Sequence, residues 1–279
     1  MEMPPGLIYS VMVPVDFTQQ SVWALTVAAR LVRKNGGIIH LLHIVDSRID
    51  YGKENIEKAK VNLFEFARNY QQELGVSIIP NVETGNIFQT IGEMANRLGV
   101  KIIVMGTHGI KGIQKVIGSY AIRVILGSNV PVILIKDMIH SEGFNKVIIP
   151  FDTNASIDKV IEKVIESGRL FQSYIYLFSH IGAMSSLRKK RTLGNINKAV
   201  KQIRSADLEC KSIIMQNDFQ DLSDAIIRYS HNINADIIAI PLQTRTYGKE
   251  FIISQTVLQL LDEIPLPLWV FNTEKNFNK

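Results

Sequence analysis

The residues best suited to chemistry are glycines in a fixed spacing: Gly106-Thr107-His108-Gly109, then residues 110–117, then Gly118-Ser119. Glycine lets a backbone approach a pyrophosphate closely and takes up positive φ with no Cβ penalty. A Gly-Ser pair opening a helix offers unpaired amides and the positive end of the helix dipole to an anion. The Ser119 hydroxyl can cap that helix or donate to a phosphate oxygen. Lys111 and Lys115 lie in the same stretch, either as charge near a phosphate or as solvated cations. An apolar run ending in Pro14-Val15-Asp16 adds a carboxylate, whose plainest use is to satisfy amides at the start of the next helix. The implied chemistry is phosphate capture through backbone amides. The spacing is neither G-x-x-x-x-G-K-[ST] nor G-x-G-x-x-G, which excludes the common P-loop and the dinucleotide fingerprint. No base placed for an attacking water and no carboxylate pair accompany the loop, so efficient catalysis is not expected.

The elements that must hold this loop occur twice. Val11-Met12-Val13-Pro14-Val15-Asp16 has a counterpart in Val147-Ile148-Ile149-Pro150-Phe151-Asp152. Residues 38–45 align with 174–181, residues 101–105 with 236–240, and residues 130–135 with 266–271, at an offset of about 136 throughout. Such a constant offset indicates tandem duplication. The strand-like runs are almost continuously apolar, as expected for strands buried on both faces of a parallel sheet. Five are expected in the first copy, near 9–16, 37–45, 76–83, 101–106 and 131–136, and five in the second. Helical periodicity lies between them, at 21–34, 55–74 and 87–98, and again at 157–167, 187–206 and 222–232. Alternating strands and helices of this length predict right-handed βαβ units and two open, doubly wound α/β domains. The domains are expected at 1–138 and 144–275, with Ser141, Glu142 and Gly143 as an exposed linker. Ligands of such sheets bind beyond the carboxyl ends of the strands, where strand order reverses, and the glycine loop falls there.

The totals are those of a globular chain. It has 279 residues, 46% hydrophobic and 20% charged, with a net charge of +5, too modest to mark a nucleic-acid binder by itself. The single cysteine, Cys210, excludes an internal disulfide framework and suits a reducing compartment. No secretory leader and no membrane span are expected, and a cytoplasmic location follows. His40 and His43 resemble a metal pair, but residues three apart on a strand face opposite ways, so no metal site is assigned. His180-Ile181-Gly182-Ala183 follows the wrong strand for adenylyl transfer, Arg188-Lys189-Lys190-Arg191 reads as a solvated helix end, and Trp23 and Trp269 read as core.

Taken together, Val13-Pro14-Val15-Asp16-Phe17-Thr18, Leu42-His43-Ile44-Val45-Asp46 and Val104-Met105-Gly106-Thr107-His108-Gly109 followed by Gly118-Ser119 resemble the universal stress protein family, in a tandem form. The resemblance covers nearly the whole chain. It implies an adenine nucleotide α-hydrolase-like fold with strand order 3-2-1-4-5 in each copy, and ATP or AMP as ligand, with or without Mg2+. Asp16 would then bond the ribose, with Pro14 and Val15 beside the adenosine, Ile44 presenting backbone groups to the adenine edge and Met105 lining the pocket. Gly106, His108, Gly109, Gly118, Ser119 and Tyr120 would surround the phosphates. The family signature places nine residues between its G-x-x-G and its G-[ST], whereas eight stand here, a loop shorter by one residue.

The second copy keeps Asp152 and loses the loop. Pro241 stands at the place of Gly106, Thr244 at that of Gly109, and Ile253-Ser254 at that of Gly118-Ser119. Proline lacks an amide donor, and a Cβ at each glycine position obstructs a phosphate, so one nucleotide site per chain is expected. The resemblance also implies that residues 131–135 and 267–271 join the copies as an internal pseudo-dimer, with further association into a homodimer open. The expected function is adenine-nucleotide binding in stress response or signalling, with a nucleotide-independent scaffold or a slow ATPase as alternatives. Neither nucleic acid nor membrane is an expected partner.

Overall fold

The computed structural model describes residues 9–45, 53–107, 118–141, 143–151, 157–182, 184–216, 222–242, 245–247, 250–252 and 255–272. The chain divides into two units, Met1–His140 and Ser141–Lys279. In the first, β1 (Ser10–Pro14), α1 (Gln19–Asn35), β2 (Ile38–Val45), α2 (Lys53–Leu74) and β3 (Ser77–Thr84) are followed by α3 (Ile87–Arg97), β4 (Ile102–Gly106), α4 (Gly118–Gly127) and β5 (Val132–Ile135). The strands lie in the order β3-β2-β1-β4-β5, all parallel, with Val11 opposite Ile39 on one side and Ile102 on the other. Val11, Met12, Val13, Ile39, Leu41, Ile103 and Val104 are fully buried, which is why these runs carry apolar residues without alternation.

Local chemistry sets the joints. Helix α1 buries Ala24, Leu25, Ala28 and Val32 along one stripe and stops at Gly36, whose φ of 65° and ψ of 43° are left-handed. Gly37 follows because space runs out there: a Cβ would lie 2.1 Å from the Tyr9 carbonyl oxygen. Its amide instead returns to the Val32 carbonyl (2.8 Å), and the Ile38 amide donates to Tyr9 (2.8 Å) to start β2 beside β1. At the head of α3 the Asn86 side chain accepts from the Phe88 amide (2.9 Å).

The second unit repeats the plan. β6 (Lys146–Pro150), α5 (Ile157–Phe171), β7 (Tyr174–His180), α6 (Ser186–Arg204), β8 (Cys210–Met215), α7 (Leu222–Ile233) and β9 (Ile237–Leu242) come first. A hairpin of β10 (Arg245–Tyr247) and β11 (Glu250–Ile252) then precedes α8 (Gln255–Glu263) and β12 (Leu268–Asn272). Parallel pairing orders the long strands β8-β7-β6-β9-β12. Among the described residues, the antiparallel β10-β11 pair brings this unit to seven strands where five were expected, because three-residue strands show no periodicity to read.

The two units take the same backbone conformation at matching helix ends although the residues differ. Gly36, Gly75 and Gly99, beyond α1, α2 and α3, are left-handed; beyond α5, α6 and α7 stand Gln172, Asp207 and Asn234, with φ of 53°, 60° and 49°. Asn145 takes the place of Tyr9, its carbonyl accepting the Tyr174 amide (2.7 Å), and Ser173 takes the place of Gly37, its hydroxyl donating to the carbonyl of the neighbouring Phe144. Ser141, expected to be exposed, is half-buried and donates to Asp236 Oδ1 (2.8 Å), while Asp236 Oδ2 accepts the Lys146 amide (2.9 Å).

Candidate functional site at the carboxyl ends of the first sheet

Strand order reverses between β1 and β4, and the two strands end side by side. The Val15 amide donates to the Leu42 carbonyl (2.8 Å), which carries the β1-β2 ladder one residue past β1 and buries Val15. The chain then turns at the exposed Asp16. Its Oδ1 accepts from the Thr18 amide (3.1 Å), the Thr18 hydroxyl (2.6 Å) and the Ser21 hydroxyl, and its own amide donates to Ser21 Oγ (3.1 Å). Thr18 is the N-cap of α1 by backbone conformation yet makes no side-chain capping bond. Asp16 therefore organises the head of α1 from two residues upstream.

Between them, Phe17 has φ of 63°, a left-handed conformation rare for an aromatic residue. Its ring lies 4.8 Å from that of His43 and 5.5 Å from that of Phe66. His43 Nδ1 is 2.9 Å from the Val15 carbonyl oxygen, which fixes the proton on that nitrogen and ties β2 to the turn. Ile44 is half-buried near the end of β2. His40, on the opposite face of the strand, is buried, and that burial holds its imidazole below the usual range.

At the end of β4, Met105 and Gly106 are half-buried, and the Thr107 amide donates to Ile135 (2.9 Å). A Cβ on Gly106 would lie 2.5 Å from the Gln20 carbonyl oxygen and 2.6 Å from its carbon. This glycine thus has a packing reason that spacing alone does not reveal: the first turn of α1 crosses directly against the end of β4. Helix α4 begins at Gly118 and is held against α3 at its far end, where a Cβ on Gly92 would lie 2.2 Å from the Gly127 carbonyl oxygen. The Arg123 guanidinium lies 5.1 Å from the Phe88 ring across the same contact.

Pro14, Val15, Asp16, Ile44, Met105 and Gly106 are thereby brought to the carboxyl ends of three neighbouring strands. Gly118, Ser119 and Tyr120 form the first turn of α4. His108, Gly109, Lys111 and Lys115 lie outside the described residues, as do Asp152, Thr244, Ile253 and Ser254 of the second copy; Pro241 lies within β9, opposite Phe271. Among the described residues no group of three His, Cys, Asp or Glu side chains is placed to hold a metal ion, and no helix is long and apolar enough to cross a membrane. Sequence reasoning missed Ser21, the hydroxyl that locks Asp16, though a Ser or Thr in the first turn of a helix is a signal for such contacts.

Comparison with known proteins points to one family for the amino-terminal unit. The model of the universal stress protein family matches residues 9–136. Universal stress protein A homolog 1 of Coxiella burnetii is 27% identical over 121 residues, 40% of this chain and 84% of that protein. Universal stress protein G of Shigella flexneri is 24% identical over 140 residues, 46% of this chain and 98% of that protein. The crystal structure of a universal stress protein from Archaeoglobus fulgidus shares the fold, with a TM-score of 0.74 at 19% identity, covering 95% of this chain and 98% of the other. The amino-terminal unit is thus similar to the universal stress protein family over residues 9–136, and the whole chain shares the fold of a universal stress protein.

Proposed function

We propose that the amino-terminal unit binds an adenine nucleotide, ATP or AMP, and that the protein acts in stress response or signalling through this binding without efficient catalysis. The observation that carries the reading is the reversal of strand order between β1 and β4, with the head of α4 beyond β4. The first-turn amides of α4 are donors that no helical carbonyl satisfies, and they suit a phosphate. In this reading Asp16 accepts from a sugar hydroxyl, Ile44 offers backbone groups to the base, and Met105 packs against it. His108, Gly109, Ser119 and Tyr120 complete the phosphate side in this proposal. Mg2+, if it accompanies the nucleotide, would be held by the phosphates, since the described side chains offer no acidic cluster.

One observation favours a second reading, a nucleotide-independent interaction scaffold: the Asp16 carboxylate is already engaged by Thr18 and Ser21. Titration of the purified chain with ATP and AMP separates the two. Gly118→Val puts a branched side chain at the first turn of α4 and is expected to weaken binding at least about tenfold, a loss of roughly 1.4 kcal/mol. Affinity unchanged by that substitution removes the α4 amides from the site.

A further inference from the structure

Helix α6 carries seven cations, Arg188, Lys189, Lys190, Arg191, Lys198, Lys201 and Arg204, and no acidic residue. Its counterpart α2 carries four of each sign, with Lys60 paired to Glu57 at 2.6 Å. One duplicated helix has thus become wholly basic while the other has stayed neutral. The charge on α6 exceeds the net +5 of the entire chain, so everything outside this helix is net negative.

The cations have a direction. Thr192, Ile196, Ala199 and Ile203 face inward, and Lys190, Arg191, Lys198, Lys201 and Arg204 are exposed. Lys190, Gly194, Lys198 and Lys201 follow a spacing of four, four and three, which is one stripe along the helix, roughly 16 Å long at 1.5 Å per residue. Lys198 is bonded to Asp158 (2.7 Å), and Lys190, Arg191 and Lys201 make no ion pair among the described residues. The run Arg188–Arg191 also lies in the first two turns, against the positive end of the helix dipole, an unfavourable end for cations.

Gly194 stands in the middle of the stripe, and a Cβ there would meet nothing within 4 Å. Glycine inside a helix costs about 1 kcal/mol relative to alanine, and no neighbour among the described residues requires it here. Its effect is a flat notch between cations, open to the close approach of a partner.

We infer that the exposed face of α6 binds the phosphate backbone of nucleic acid, without reading its sequence. A linear array of cations around a notch matches a line of phosphates, and the face carries no aromatic side chain for base stacking. An anionic bilayer suits it less well, because the apolar stripe of α6 is already buried within the unit and only Leu187 is exposed beside the cations. This inference departs from the expectation of no nucleic-acid partner. The four-residue run 188–191 read alone suggests a solvated helix end; the full helix, its faces and Gly194 do not.

The test is fluorescence anisotropy of the full-length chain with a labelled DNA duplex of about 20 base pairs across a salt series. Five phosphate contacts give a log–log salt slope of about −4.5, a weakening of roughly 500-fold between about 50 and 200 mM salt. Replacing Lys190, Arg191 and Lys201 together by alanine is expected to reduce the slope to about −2 with the circular dichroism spectrum retained. Gly194→Ala is expected to raise Tm while weakening duplex binding. A slope unaltered by the triple substitution overturns the inference. So does capture by phosphatidylserine vesicles with no duplex binding at the lowest salt.

Discussion

At the residue scale, Asp16 serves two ends. It holds the head of α1 through Thr18 and Ser21, and it stands where the proposed nucleotide would place its sugar. The two roles separate on substitution. Asp16→Ala removes the acceptor of the Thr18 amide and is expected to cost about 1 kcal/mol in chemical denaturation, in the range of a lost helix cap. Asp16→Asn keeps a side-chain oxygen for that amide, so its stability stays within about 0.5 kcal/mol of the parent. A nucleotide affinity that falls in both variants, while stability falls only in the first, supports the sugar contact; an affinity that simply follows stability removes it. Gly106 carries a related lesson. Its place after a buried strand marks it as a phosphate-loop glycine, yet the contact that demands a glycine is the Gln20 carbonyl, distant in sequence and visible only once α1 is laid across β4. Phe17 is likewise illegible in advance, since no residue type announces a left-handed aromatic.

At the scale of the element, strands and helices were largely legible because burial on both faces and a 3.6-residue stripe leave strong patterns. The exceptions have physical causes. Periodicity ends α5 at 167, but the helix continues to Phe171, because Gly168 faces inward against the side chains of Leu208 and Ile175. The β10-β11 hairpin is too short to show a period. Helix stops give a further test. Gln172 holds φ of 53° at the position where the first unit has Gly36 at 65°. A residue with a Cβ pays roughly 1 kcal/mol there, so Gln172→Gly is expected to raise stability by up to that amount, measured as an increase in Tm. A fall in Tm means that contacts of the Gln172 side chain outweigh the backbone strain.

At the scale of the whole molecule, the two units share one order of long strands and differ in the residues they carry. The repeat offset and the loss of the glycines from the second copy are both readable in sequence, because a duplicated chain supplies its own comparison. What sequence could not supply was the reason for individual glycines or the direction in which the cations of α6 face, since both depend on neighbours brought together by folding. The two copies have diverged in opposite senses: the first keeps small residues and a helix head beyond β4, and the second has Pro241 at that position and a basic helix elsewhere. The proposed function requires the amides beyond β4 of the first unit to hold an adenine nucleotide. The most direct measurement is the nucleotide content of the full-length chain after incubation with excess ATP and removal of free ligand, released by denaturation and quantified by mass spectrometry. One adenine nucleotide per chain is the predicted result; none, or two, contradicts it.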